Sequence, residues 1–149
     1  MGGIFPPTGK QDRERSRQIP SEAEREYLWF CLEFCGLILE QRPAHAEALL
    51  AAAQHFTTLG YYQDGLAVDQ RLAALYPDDP SVTYNLSCSL ALTDRREEAL
   101  EQLSLAVAKG YRDFNGIRED RDLASLKNEP RFQEILLEAS AGERQREAT

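Results

Sequence analysis

The sequence has 149 residues, 42% of them hydrophobic, which is typical of one globular domain with a sizeable core. Its net charge of −8 argues against nucleic-acid binding, because neutralising phosphates needs a surplus of Lys and Arg. The apolar stretches are too short to span a bilayer, and no secretory signal is recognisable. Three cysteines without zinc-finger spacing favour a reducing compartment. We therefore expect a cytoplasmic protein without membrane contact.

The charge is distributed unevenly along the chain. Residues 1–20 contain four basic and two acidic side chains, which gives +2 and leaves −10 for the remainder. This stretch is rich in Pro and Gly and has few apolar residues, so it predicts a disordered arm. The acidic remainder favours a basic or amphipathic partner.

The first helix is predicted over residues 22–42. Ser21 and Glu24 have the spacing of a capping box, and Pro43 requires the helix to end before it. The apolar residues at helical spacing are Leu28, Cys31, Leu32, Cys35, Ile38 and Leu39. Three aromatic residues, Trp29, Phe30 and Phe34, widen this apolar surface beyond one stripe. They predict either a second packed side or an exposed patch through which two copies could form a homodimer.

Turn residues recur at a spacing of 34 along the next part of the chain. These marks are Pro43, Pro77, Gly60, Asp94 and the Gly110-Tyr111 pair. Apolar residues at helical spacing lie between them, which predicts two helix pairs, over residues 46–79 and 80–113. After Gly110 the pattern weakens and predicts a capping segment over residues 114–139 with a terminal helix that begins at Pro130. Residues 140–149 are polar and predict a disordered tail.

Residues 83–107 closely resemble the tetratricopeptide repeat. The family's packing positions are filled by Leu86, Leu90, Ala99, Leu103 and Ala106, and its small helix-crossing position is filled by Ser87. The following segment, through Lys109-Gly110-Tyr111 and Pro130-Arg-Phe132, looks like the end-of-group segment of that family. The preceding unit departs from the pattern, with Gly65 in place of alanine and Asp69 in place of an apolar residue.

The resemblance covers residues 22–139 and implies a fold. It implies an all-α, short right-handed α-solenoid of stacked antiparallel helix hairpins, closed by a C-terminal helical cap. It also implies a concave groove, lined by the first helix of each unit, that binds a peptide or an amphipathic helix. The residues projected onto this groove are Glu47, Leu50, Gln54, Thr57, Ser81, Tyr84, Asn85, Cys88 and Ala91.

Some members of the family bind a C-terminal carboxylate with Lys, Asn and Arg on this surface. Asn85 matches one such position, but Leu50 and Gln54 stand where Lys and Asn would be needed. We therefore do not expect a carboxylate clamp.

Catalytic and metal-binding signals are weak. Cys31 and Cys35 form only half a metal site and are expected to be buried hydrophobes, and His55 is expected to be a packed or surface histidine. The acidic residues around Asp120 fit no calcium loop and are expected to cap helices and stabilise a turn. No catalytic or phosphate-binding motif is present. We expect no metal, no cofactor and no enzymatic activity.

The sequence therefore predicts a non-catalytic interaction module, or adaptor, for a protein or peptide partner. Two alternatives remain open. One is a small chaperone for a secreted or aggregation-prone client, and the other is a homo-oligomerising structural protein.

Overall fold

The computed structural model describes residues 19–149, so most of the predicted arm 1–20 lies outside the described part of the chain. Over residues 19–149 the fold is all-α, as predicted, with seven α-helices, one 3-10 turn and no strand. The helices are α1 Glu22–Gln41, α2 Ala46–Leu59, α3 Tyr62–Leu75, α4 Pro80–Leu92, α5 Arg96–Lys109, α6 Phe114–Glu119 and α7 Pro130–Glu147, and the 3-10 turn is Ala124–Leu126.

The described chain divides into two compact units, the first ending at Tyr76 and the second spanning Pro77–Thr149. In the first unit, α2 packs against both α1 and α3. In the second unit, α5 packs against α4 and α7, and the 3-10 turn contacts α4 and α5.

Helix α1 begins and ends where local sequence signals place its boundaries. Ser21 and Glu24 form the predicted capping box: the Ser21 backbone N–H donates to Glu24 Oε2 at 2.7 Å, and the Glu24 N–H donates to Ser21 Oγ at 3.3 Å. These hydrogen bonds lower the pKa of Glu24. The helix stops at Gln41, shortly before Pro43.

The two central helix pairs repeat along the chain with a shift of 34 positions at three of their four helix ends; the ends of α2 and α4, at residues 59 and 92, differ by 33. Helix α2 begins at residue 46 and α4 at residue 80, a shift of 34 positions. Helix α3 covers 62–75 and α5 covers 96–109, so both ends of the second helix are displaced by the same amount. The turns repeat too, because Gly60 and Asp94 both have positive φ, 82° and 63°. The predicted units 46–79 and 80–113 enclose these two pairs.

Helix α3 is closely packed despite its two departures from the repeat pattern. Gly65 and Asp69 are both buried. A Cβ atom at Gly65 would lie 3.1 Å from Thr57 Oγ1 and 3.4 Å from the Ala53 carbonyl oxygen. The glycine therefore lets α3 approach α2 more closely than the usual alanine would.

The α4–α5 pair is held by a cap, a small crossing residue and a left-handed stop. The Asp79 carboxylate accepts hydrogen bonds from the first turn of α4, and Pro80 occupies the first helical position. Ser87 is fully buried, and its hydroxyl donates to the Ala99 carbonyl at 2.7 Å where the two helices meet. Gly110 ends α5 with φ of 115°, as predicted.

The C-terminal helix is longer than the sequence pattern indicated. Its apolar side, at Phe132, Ile135, Leu136 and Ala139, is buried, and the helix continues to Glu147. The prediction of a disordered tail from residue 140 therefore differs from the structure. The last two turns are largely exposed, but residues 140–147 contain no proline to stop the helix.

Candidate functional site

The α2 side of the predicted lining is accessible. Glu47 and Gln54 are exposed, and Leu50 and Thr57 are half-buried. Their spacing of three and four residues places all four on one face of the helix. We call these four residues the α2 row.

The α4 side of the predicted lining is mostly covered. The equivalent residues, 34 positions later, are Ser81, Tyr84, Cys88 and Ala91, which we call the α4 row. Ser81 is exposed, and the neighbouring Asn85 is half-buried. The other three members of the row are buried, at 7%, 8% and 1% exposure.

The cover is supplied by the chain itself, through residues 111–126, which we call the covering segment. The Tyr84 ring stacks on the Tyr111 ring with centroids 4.2 Å apart and planes inclined by 13°. The Tyr84 hydroxyl donates to Asp120 Oδ2 at 2.6 Å. Two separate parts of the segment therefore engage one tyrosine.

The same segment also reaches the other two buried members of the α4 row. The Cys88 sulfur lies 3.7 Å from Asp120 Oδ2, and the Ser125 hydroxyl donates to the Ala91 carbonyl at 3.4 Å. Asp120 Oδ1 accepts from the backbone N–H of Asp122 at 2.9 Å, so this carboxylate both shapes its own turn and fastens the segment to α4.

The electrostatics of this contact favour a protonated phenol. Burial raises the pKa of Tyr84 far above its usual range, and the neighbouring Cys88 and Asp120 act in the same direction. Burial also raises the pKa of Tyr111. The raised pKa of Tyr84 favours the protonated phenol, which is the form that donates to Asp120.

The predicted lining needs a correction on α4. Tyr84, Cys88 and Ala91 are not open to a partner in this structure, because the covering segment already occupies their face. Sequence reasoning assigned Asp120 only helix-capping and turn-stabilising roles and missed its contact with Tyr84. The two residues are 36 positions apart, and no local pattern links them.

Helix α1 carries the exposed aromatic residues that the sequence indicated, with one difference. Trp29 is half-buried and packs edge-on against Tyr61, with ring centroids 5.5 Å apart. Phe30 and Phe34 are exposed, and two further residues on their side of the helix were missed. The exposed apolar set, which we call the α1 stripe, is Tyr27 at 65%, Phe30 at 65%, Phe34 at 57% and Leu37 at 61% exposure. Its spacing of three, four and three residues was readable in the sequence.

The cysteines and His55 lie in packed positions. Cys35 is buried and Cys31 half-buried, both as free thiols, and burial raises the pKa of Cys35. His55 is half-buried, and burial lowers its pKa.

Within residues 19–149, no group of three or more His, Cys, Asp or Glu side chains is arranged to hold a metal ion. None of the helices described in this range is long and apolar enough to cross a membrane.

Comparison with known proteins gives a partial similarity. Over 100 residues, or 65% of this chain, the sequence is 28% identical to a chloroplastic protein of Arabidopsis thaliana. The similar region spans about 30% of that protein, so the chain is similar to a minor part of it. No family model matches the chain, and no solved structure matches it significantly.

Proposed function

We propose that this chain is a non-catalytic protein-interaction module, a short solenoid of tetratricopeptide-like hairpins, that binds a peptide segment or short helix on the α2 row. The repeat architecture is supported by the shift of 34 positions at three of the four corresponding helix ends of the two central pairs and by their matching positive-φ turns. Stacked repeats of this kind present the first helix of each pair as a binding surface.

One observation carries the proposal. The face of α4 is engaged by a segment of the same chain, which contributes a stacked ring, a carboxylate and a hydroxyl. The α4 face therefore binds a segment of polypeptide chain. The corresponding face of α2, one repeat earlier, remains accessible. A partner segment would occupy on α2 the role that residues 111–126 have on α4.

The side chains of the α2 row favour a mixed contact. Leu50 offers apolar area at the centre of the row, and Gln54 offers an exposed amide that can donate to and accept from a peptide backbone. Glu47 adds a negative charge at one end, which favours a basic residue in the bound segment. This partner chemistry is that of a basic or amphipathic peptide.

A pair of matched variants tests the proposal. Leu50→Arg combined with Gln54→Ala removes the centre of the α2 row, while Gln63→Arg combined with Gln70→Ala introduces the same side chains at exposed positions of α3. Affinity capture from the native cell extract, quantified by mass spectrometry, should show partners reduced at least tenfold in the first variant and unchanged in the second. Equal capture by the unmodified chain and both variants would overturn the proposal.

The similarity to the Arabidopsis thaliana protein adds no support to this assignment. Its name describes a chloroplastic protein, and the similarity covers only part of both chains. A cytoplasmic location for this chain remains our prediction from the sequence, and fractionation of the native cell is the test.

A further inference from the structure

Helix α1 has two apolar faces, and only one of them is packed within the first unit. The packed face comprises Leu32, Cys35, Gly36 and Leu39. The other is the α1 stripe, whose alternating spacing of three and four residues is that of a coiled-coil seam. A helix with this pattern has room for a second helix along its exposed side.

The stripe is large enough to matter energetically. Its four side chains, each about three-fifths exposed, present on the order of 500 Å² of surface, since a large aromatic side chain buries roughly 150–250 Å². A patch of this size is at the upper end of what soluble monomers expose, and such patches are often functional. A standard interface buries about 800 Å² on each partner. One helix laid along the stripe and its edges would approach that value.

The two edges of the stripe have different chemistry. One edge carries exposed Glu26, Glu33 and Glu40, spaced by seven residues, each three or four positions from a member of the stripe. The other edge carries half-buried Cys31 and Ile38. The surface is therefore an apolar seam with a continuous negative margin on one side.

We propose that the α1 stripe is a docking site for an amphipathic helix of a partner protein, whose apolar face covers the stripe and whose Lys or Arg residues pair with Glu26, Glu33 and Glu40. In coiled-coil geometry, charges that flank the seam select the partner. This site lies on a different helix from the α2 row, so it extends the proposed function rather than restating it.

A second copy of α1 fits the site less well. The basic residue of α1, Arg25, lies seven positions before Leu32 and therefore shares the packed side. A second α1 would bring its glutamates against those of the first copy or against Cys31 and Ile38. Neither arrangement neutralises the acidic margin, whereas a basic helix does.

Two synthetic helical peptides provide the probe. Both carry the same apolar seam at matching spacing, one with lysines along its flank and the other with glutamates at the same positions. We expect the lysine peptide to bind the full chain at least tenfold more tightly in fluorescence anisotropy, with affinity that falls as salt is raised. Equal affinity of the two peptides, or preference for the glutamate peptide, would overturn the proposal.

Substitutions in the chain test whether the lysine peptide binds on the α1 stripe. Phe30→Ser with Phe34→Ser should weaken the lysine peptide at least tenfold, while Leu137→Ser, at an exposed leucine of α7, should leave it unchanged. Charge reversal at Glu26, Glu33 and Glu40 to lysine should shift preference to the glutamate peptide. Circular dichroism establishes that each variant is folded. An unchanged affinity in the Phe30/Phe34 variant would contradict the assignment.

Two other occupants are distinguished in the same experiments. If light scattering finds that the chain alone is a dimer and that the Phe30/Phe34 variant is a monomer, a second copy of the chain covers the stripe. This result would overturn the proposal. Charge reversal at Arg13, Arg15 and Arg17 tests the N-terminal segment of the chain itself. A tenfold gain in peptide affinity in that variant would identify this segment as the occupant instead.

Discussion

The α2 row and the α4 row occupy the same positions in two successive helix pairs, yet one is open and the other is covered. Leu50 corresponds to Tyr84, and Gln54 corresponds to Cys88. The tyrosine offers both a ring for stacking and a hydroxyl for Asp120, and the chain supplies a segment that satisfies both. Positions related by the shift of 34 therefore differ in exposure through the identity of a few side chains and the segment that follows.

Removing the Tyr84 ring should have the largest effect on the difference between the α4 row and the α2 row. We expect Tyr84→Ala to destabilise the second unit by about 3–5 kcal/mol, because it removes a buried aromatic side chain and a hydrogen-bond donor to the Asp120 carboxylate. Leu50→Ala, at the matching position, should cost well under half as much, since Leu50 is only half-buried. Native-state hydrogen exchange measures both units in one protein. Similar losses in the two variants would contradict the contrast.

Removing only the hydroxyl should have a smaller effect. Tyr84→Phe retains the stacking on Tyr111 but loses a hydrogen bond to a carboxylate, which costs about 1.5–3 kcal/mol. Amide exchange in residues 114–126 should become faster, while α2 is unaffected. If the covering segment exchanges as slowly as before, the hydroxyl does not fasten it.

The turns of the two helix pairs allow a test in which the residues at two equivalent positions are swapped. Gly60 and Asp94 have positive φ at equivalent positions, and that conformation costs a residue with a side chain about 1 kcal/mol relative to glycine. Asp94→Gly should stabilise the second unit by up to that amount, and Gly60→Asp should destabilise the first by a similar amount. Urea titrations of the two variants measure both changes, and shifts in the same direction would be inconsistent with this account.

The smallest expected effect depends on pH. Burial lowers the pKa of His55 below its ordinary value near 6.5, so the unfolded chain binds this proton more readily than the folded one. The stability of the first unit should be greatest above about pH 6.5 and should fall as the pH drops through that value towards the lower folded pKa. Ser89 holds the equivalent position in the second unit. His55→Ser should therefore reduce the loss of stability between pH 7.5 and 5.5, measured by urea titration.

Most of the helix boundaries were predictable because their signals are local. The capping box at Ser21, the turn at Gly60 and the stop at Gly110 each act within a few residues, and the structure places helix ends at all three. The extension of α7 to Glu147 was not predicted, because polar composition after residue 140 was interpreted as disorder. A polar helix end and a polar tail have similar composition, so the sequence pattern does not separate them.

The candidate sites were predictable only in part. The exposure of Phe30 and Phe34 follows from apolar residues around more than one side of a single helix. The covering of Tyr84 depends on a pairing with Asp120 across 36 positions, and nothing near either residue signals it. Tertiary contacts of this kind require the three-dimensional structure.

The single tryptophan of the chain gives the first unit an optical property that the second unit lacks. Trp29 packs on Tyr61 and directly precedes Phe30 of the α1 stripe in the sequence, and the tyrosines of the second unit absorb light but do not emit in the same range. Its emission wavelength and quenching by iodide therefore report on the surroundings of α1 alone. Unfolding of the first unit, or a ligand arriving beside it, can be followed in the unlabelled protein.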